Sequence, residues 1–308
     1  MAQGLVDWDD GSIAKQDRMR IVYHLGAHCT DHDRLIRCLL KNRQVLEEAG
    51  IAVPAPTRYR RLMRDMAMRL RGATASQQQQ ALLFDQMLDE SAADRVILSW
   101  DSFLSSPPWA VRASFYPFAG ERIRAFTQLF PDSEAEFHLG IRNPATFLPA
   151  LQKAVNTMGS NDILENADPL QLRWSDVVLQ ILAQNPGVPL TVWCDEETPL
   201  IWPEVLQTVS GHGPETELEE THELLSIIMN EIGLARLKTY CAEHPPQGVE
   251  QRRRVVSAFL EKFARPEKVD YEIDLPGWTD SMVAEMTERY SVDVERIRRL
   301  PGVTFLTA

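Results

Sequence analysis

Basic charge is scarce in this chain, as are most features that assign a sequence to a specialised class at sight. Lys and Arg number 32 against 44 Asp and Glu, a formal charge of −12. A broad nucleic-acid-binding face is therefore not expected, because neutralising phosphates takes clustered cations, although a local basic patch is compatible with an acidic whole. Cysteine is sparse: Cys29, Cys38, Cys194 and Cys241 contain no Cys-x-x-Cys pair and no disulfide framework. No apolar run approaches the ~20 residues that a membrane-spanning helix needs. The opening residues, MAQGLVDWDD, are acidic and lack the positive-then-apolar order of a secretory signal. A cytoplasmic location with reduced thiols and no membrane span is the expectation. No internal repeat is visible, and Gln77 to Gln80 is too short a low-complexity run to matter.

What is present fits an ordinary globular protein. Apolar residues make up 44% and charged residues 25% of 308 positions. A chain of this length buries roughly three quarters of its unfolded surface and needs no staples. The reading is a polar, flexible tail over 1–18 and a single domain over 19–308, mainly helical from about 210 onward.

Alternating patterns set the fold class. Arg20-Ile-Val-Tyr-His-Leu-Gly26 reads as a buried strand ending in a turn glycine, followed by a helical pattern from Asp33 to Ala49 that Gly50 stops. Ile51 to Pro54 begins an extended piece. Helices are expected near 57–71, 76–90, 118–130 and 172–184, and after Pro144. Further strands are expected at Arg95 to Ser99, Glu136 to Arg142, Pro189 to Trp193 and, at the end, Val303 to Leu306. Strands alternating with helices predict an α/β fold, a mostly parallel sheet of about four or five strands flanked by helices, with a helical C-terminal extension.

Ligands of open parallel sheets bind at the carboxyl ends of the strands, and a turn leading into a helix N-terminus offers N–H groups to an anion. The first such turn here is His24-Leu-Gly26-Ala-His28-Cys29-Thr30-Asp31-His32-Asp33. It is not a Walker A loop, since GxxxxGK[ST] is missing. It nevertheless resembles the opening of bacterial P-loop sulfotransferases, and the register continues through Leu40-Lys41-Asn42, Leu46, Gly50-Ile51 and Pro54. Arg142-Asn143-Pro144 is similar to the family's 3′-phosphate segment, with Ala150 where a serine stands. Ile97-Leu98-Ser99-Trp100-Asp101 and Val192-Trp193-Cys194-Asp195-Glu196 are similar to two later strands, and Asp293…Ile297…Pro301-Gly302-Val303 to the family's end.

The resemblance implies a P-loop-type sheet and transfer of a sulfuryl group from 3′-phosphoadenosine 5′-phosphosulfate to a hydroxyl or amine of a small-molecule or glycan acceptor. Gly26, Ala27, His28, Cys29, Thr30 and Arg142 would bind the nucleotide donor. Asp101 would be the general base, which needs placement within ~3 Å of the acceptor hydroxyl. Cys29 stands where the family has its catalytic lysine, and Arg34, Arg37 or a protonated His32 is the candidate replacement cation. Asp31 and Asp33 occupy positions of small or hydroxyl residues. A carboxylate ~4 Å from a phosphate costs about 4 kcal/mol at an effective dielectric of 20. The missing lysine removes a contact worth ~1.5–3 kcal/mol more. The alternative is a non-catalytic pseudoenzyme or interaction module on the same scaffold.

Other residues carry a plain and a sharp reading. His24, His28, Cys29, Asp31, His32 and Asp33 crowd like metal ligands, but no metal signature has this spacing and no metal is expected. Cys29 as a nucleophile would gain from a helix N-terminus and lose from two neighbouring carboxylates. Arg60, Arg64 and Arg71 fall on one helical stripe, either a solvated face or a wall that attracts an anion. Trp100, Trp109, Phe115, Tyr116 and Phe118 are either core or the lining of an acceptor pocket. Asp195-Glu196-Glu197 reads as a polar loop.

Overall fold

A computed structural model describes residues 18–89, 93–159, 162–164, 167–219, 221–269, 273 and 277–308, so the tail assigned to 1–18 lies outside the described residues except for its last position. In chain order the elements are β1 (Arg20–His24), α1 (Arg34–Lys41), α2 (Arg43–Glu48), β2 (Ile51–Ala52), α3 (Pro56–Leu70), α4 (Gln77–Met87), β3 (Arg95–Ser99), α5 (Ala119–Thr127), β4 (Glu134–Ile141) and α6 (Pro144–Thr157). Then follow α7 (Trp174–Gln184), β5 (Leu190–Cys194), α8 (Thr198–Ser210), α9 (Glu223–Ile228), α10 (Glu231–Glu243), α11 (Val249–Phe263), α12 (Pro266–Val269), α13 (Asp280–Arg298) and β6 (Val303–Leu306).

The strands form one six-stranded sheet in the order β2-β3-β1-β4-β5-β6. Every pairing is parallel. The expected four or five strands become six because the two-residue β2 forms one edge and β6 the other. The chain leaves the central β1 toward β2 and β3 on one side, then crosses to β4, β5 and β6 on the other. The carboxyl end of β1 is therefore the switch point, where a crevice opens.

Strand residues alternate between two apolar layers, as a sheet covered on both faces requires. Ile21 and Tyr23 of β1 and Val96 and Leu98 of β3 join the larger core beneath α3 to α7 and α13. Val22, Ile97 and Trp193 face the opposite core with Leu35, Leu39 and Ile201. The single helix expected from Asp33 to Ala49 breaks at Asn42. Its side-chain Nδ2 donates to the Cys38 and Glu219 carbonyls at 2.8 and 3.0 Å, and its Oδ1 accepts from Glu219 N–H at 2.6 Å. An asparagine that bonds its own backbone competes with helix continuation. The C-terminal part divides in two. Tyr290, Val294 and Ile297 of α13 enter the larger core, and Asp293 Oδ2 caps α7 by accepting from Trp174 and Ser175 N–H at 2.7 and 3.0 Å. By contrast, α9 to α11 enclose a small cluster of their own around Leu225, Met229, Leu237 and Val256.

Candidate functional site

The loop after β1 first extends the sheet. Leu25 and Ala27 N–H donate to the His138 and Gly140 carbonyls, and Gly140 N–H donates to the Gly26 carbonyl at 2.7 Å. Gly26 has φ +89°, and a Cβ there would lie 3.0 Å from the Asp101 Cα. Glycine is thus what lets the segment after β3 close over the loop. Cys29, His32 and Asp33 then adopt positive φ of 58°, 52° and 61°. Three non-glycine residues in the left-handed region within one loop mark stored strain.

Specific bonds hold that strain. Arg142, buried after β4, donates from Nη1 to the Cys29 carbonyl at 2.7 Å and from Nε to Thr146 Oγ1 at 3.0 Å. The Thr30 hydroxyl donates to the Ala27 carbonyl at 2.7 Å. Arg60 grips Asp33 with two bonds of 2.5 and 3.0 Å and also donates to the Ser99 carbonyl. Of the arginine stripe, Arg60 turns inward to the loop, while Arg64 pairs with neighbouring Asp65 and Arg71 is exposed.

His28 and His32 precede α1 and share no helix face. His28 stacks on Tyr116 at 5.6 Å, and its Nδ1 lies 2.7 Å from the Tyr116 hydroxyl, which also accepts the His28 backbone N–H at 3.1 Å. Tyr116 has φ +42°, the conformation that brings its hydroxyl there. The direction of the Nδ1–hydroxyl bond follows the imidazole tautomer, and His28 Nε2 is a buried atom with no hydrogen-bond partner among the described residues.

The electrostatics oppose a cationic loop. Burial lowers His24 to about 3, with His138 adding to the effect. Burial, Arg34 and Arg142 lower His32, which disfavours its protonated form in the loop. Burial raises the Cys29 thiol to about 11, only partly offset by Arg142, so it is no activated nucleophile. Burial raises Asp31 to about 6, whereas in Asp33 the hydrogen bonds and charge of Arg60 outweigh burial and lower it.

A cavity of about 240 Å³ lies against this loop, lined by His24, Gly26, Cys29, Asp31, His32, Asp33, Arg60 and Asp101, among others. Asp101 is exposed at its edge and accepts from Ser102 Oγ at 3.1 Å. Asp195, expected in a polar loop, opens a 3-10 turn after β5 and shares a pocket of about 10 Å³ with Thr30, Asp31, Arg34 and Trp202. Burial raises its carboxyl to about 7, against the charge of Arg142. Its place at the carboxyl end of a parallel strand was the available signal. The aromatic group separates: Phe115 and Tyr116 are core, while Trp109 and Phe118 stay exposed. Among the described residues, no group of three or more His, Cys, Asp or Glu is arranged to hold a metal ion, and no helix is long and apolar enough to cross a membrane. Comparison with known proteins finds no matching family model, no matching curated protein and no matching solved structure.

Proposed function

We propose that the chain is a sulfotransferase-like scaffold that works as a non-catalytic binding module and does not use a phosphosulfate donor. One observation carries this reading: two cations that reach the loop from other elements, Arg142 and Arg60, are directed to the loop's own Cys29 carbonyl and Asp33 carboxylate. An incoming phosphate would have to compete with these contacts for both guanidinium groups. It would also meet Asp31, Asp33 and Asp101 along the cavity wall, with no lysine to offset them. The cavity is smaller than the roughly 300–1,000 Å³ typical of small-molecule sites, and a nucleotide is a large ligand. These residues do not fit 3′-phosphoadenosine 5′-phosphosulfate in the pose that the sequence resemblance implies.

Titration with adenosine 3′,5′-bisphosphate tests the reading. The expected result is no thermal shift at millimolar nucleotide. Cys29→Lys, which supplies a cation facing the loop, is expected to introduce measurable binding. Micromolar binding by the unmodified chain, lost in Arg142→Ala and accompanied by sulfuryl transfer that depends on Asp101, would establish the enzyme instead.

A further inference from the structure

A cationic hollow lies beside the loop rather than within it. Beyond Asp101, the segment runs through two 3-10 turns, Asp101–Phe103 and Pro107–Trp109, and returns through a bridge between Val111 and Phe115. This frame and the start of α5 enclose a cavity of about 330 Å³ lined by Leu104, Ser105, Ser106, Trp109, Arg112, Pro117, Phe118 and Arg122. Two arginines and no acidic residue form the lining, in a chain with formal charge −12.

The two guanidinium groups are held differently. Arg112 lies over the Trp109 ring, its Cζ 4.0 Å from the centroid, a cation–π contact that restrains the guanidinium. Arg122 donates from Nη2 to the Ser102 carbonyl at 3.1 Å, while its Nε is buried and has no hydrogen-bond partner among the described residues. The walls are apolar: Trp109 is 59% and Phe118 61% exposed, unusual for side chains of this size beside a concave surface. An anion bound by planar guanidinium forks and flanked by aromatic rings is best matched by a carboxylate on a flat, apolar body.

The geometry points to a binding site for an aromatic carboxylate between Trp109, Arg112, Phe118 and Arg122. This inference is independent of the loop reading, since it uses none of the loop residues.

2-Naphthoate is a suitable probe, followed by calorimetry and tryptophan fluorescence, with uncharged 2-naphthamide as its control. The intact chain binds naphthoate at submillimolar concentration, and the amide binds about tenfold more weakly or worse. Arg112→Gln and Arg122→Gln each weaken naphthoate by about tenfold, and Trp109→Ala abolishes most of the fluorescence response. Arg112 is exposed, so its variant decides the matter even if Arg122→Gln fails to fold. Equal binding of acid and amide, unchanged affinity in Arg112→Gln, or no binding at millimolar naphthoate overturns the site. Adenosine 3′,5′-bisphosphate does not compete, so this result and the nucleotide result stand or fall separately.

Discussion

Gly26 shows how much of the site rests on a single backbone position. Its φ of +89° is costly for any residue with a Cβ, and that Cβ would also press against the Asp101 backbone at 3.0 Å. Gly26→Ala is therefore expected to destabilise the fold by roughly 1–3 kcal/mol, seen as a lower urea midpoint; an unchanged midpoint would mean that the loop relaxes freely. Gly26 was legible from the sequence because turn glycines announce themselves. Arg60, Tyr116 and Asp195 were not, because each reaches the loop from an element distant in sequence. Arg60 stood in a stripe that looked solvated, and the role of Tyr116 follows from a positive φ that no periodicity reveals. Nor did the sequence separate exposed Trp109 and Phe118 from buried Phe115 and Tyr116, since side-chain type does not say which ring faces water.

At the scale of elements, the core strands were readable because each is a short apolar run bounded by turns. The split of the first long helix was not, since the competing bonds of Asn42 reach the Glu219 backbone far along the chain. Elements also bring carboxyls together. Asp31 enters from the loop before α1 and Asp195 from the end of β5, and both are raised by burial, to about 6 and about 7. An acid whose folded pKa exceeds its unfolded value binds more protons in the native state, so stability falls as pH rises between the two values. For Asp195 that window runs from 3.8 to about 7. Asp195→Asn removes the charged form and is expected to be more stable than the parent at pH 8 by about 1–3 kcal/mol, partial exposure included. The gain should shrink on acidification and vanish below about pH 4; denaturant melts at several pH values measure it, and a pH-independent difference would contradict the assignment. Glu136 acts in the opposite sense. Burial would raise it, but hydrogen bonds from His138 and Arg95 outweigh burial and hold it at about 2, so its contribution is lost as pH falls from 4.5 toward that value.

Over the whole molecule, the two faces of the sheet and the α9–α11 lobe differ in how much apolar surface they bury. The strands carry fully buried side chains into two large clusters, and α13 is tied to the larger one through Tyr290, Val294 and Ile297. Among the described residues the lobe's own apolar cluster has four buried members, and it joins α8 through Glu204, which pairs with Arg252 at 2.6 Å and Arg253 at 3.1 Å. Segments with few buried contacts open locally at a lower free energy than the core. Amide hydrogen exchange should thus be faster in α10 and α11 than in β1 and β4, although α10 and α11 are complete helices with their own backbone bonds. Glu204→Gln removes one charge from a three-member ion pair and should accelerate exchange in α11 while leaving β1 and β4 unchanged, because no strand residue depends on that pair. Equal protection across lobe and sheet would instead mean that the chain opens only as one cooperative unit, with the lobe carrying the stability of the sheet despite its small core.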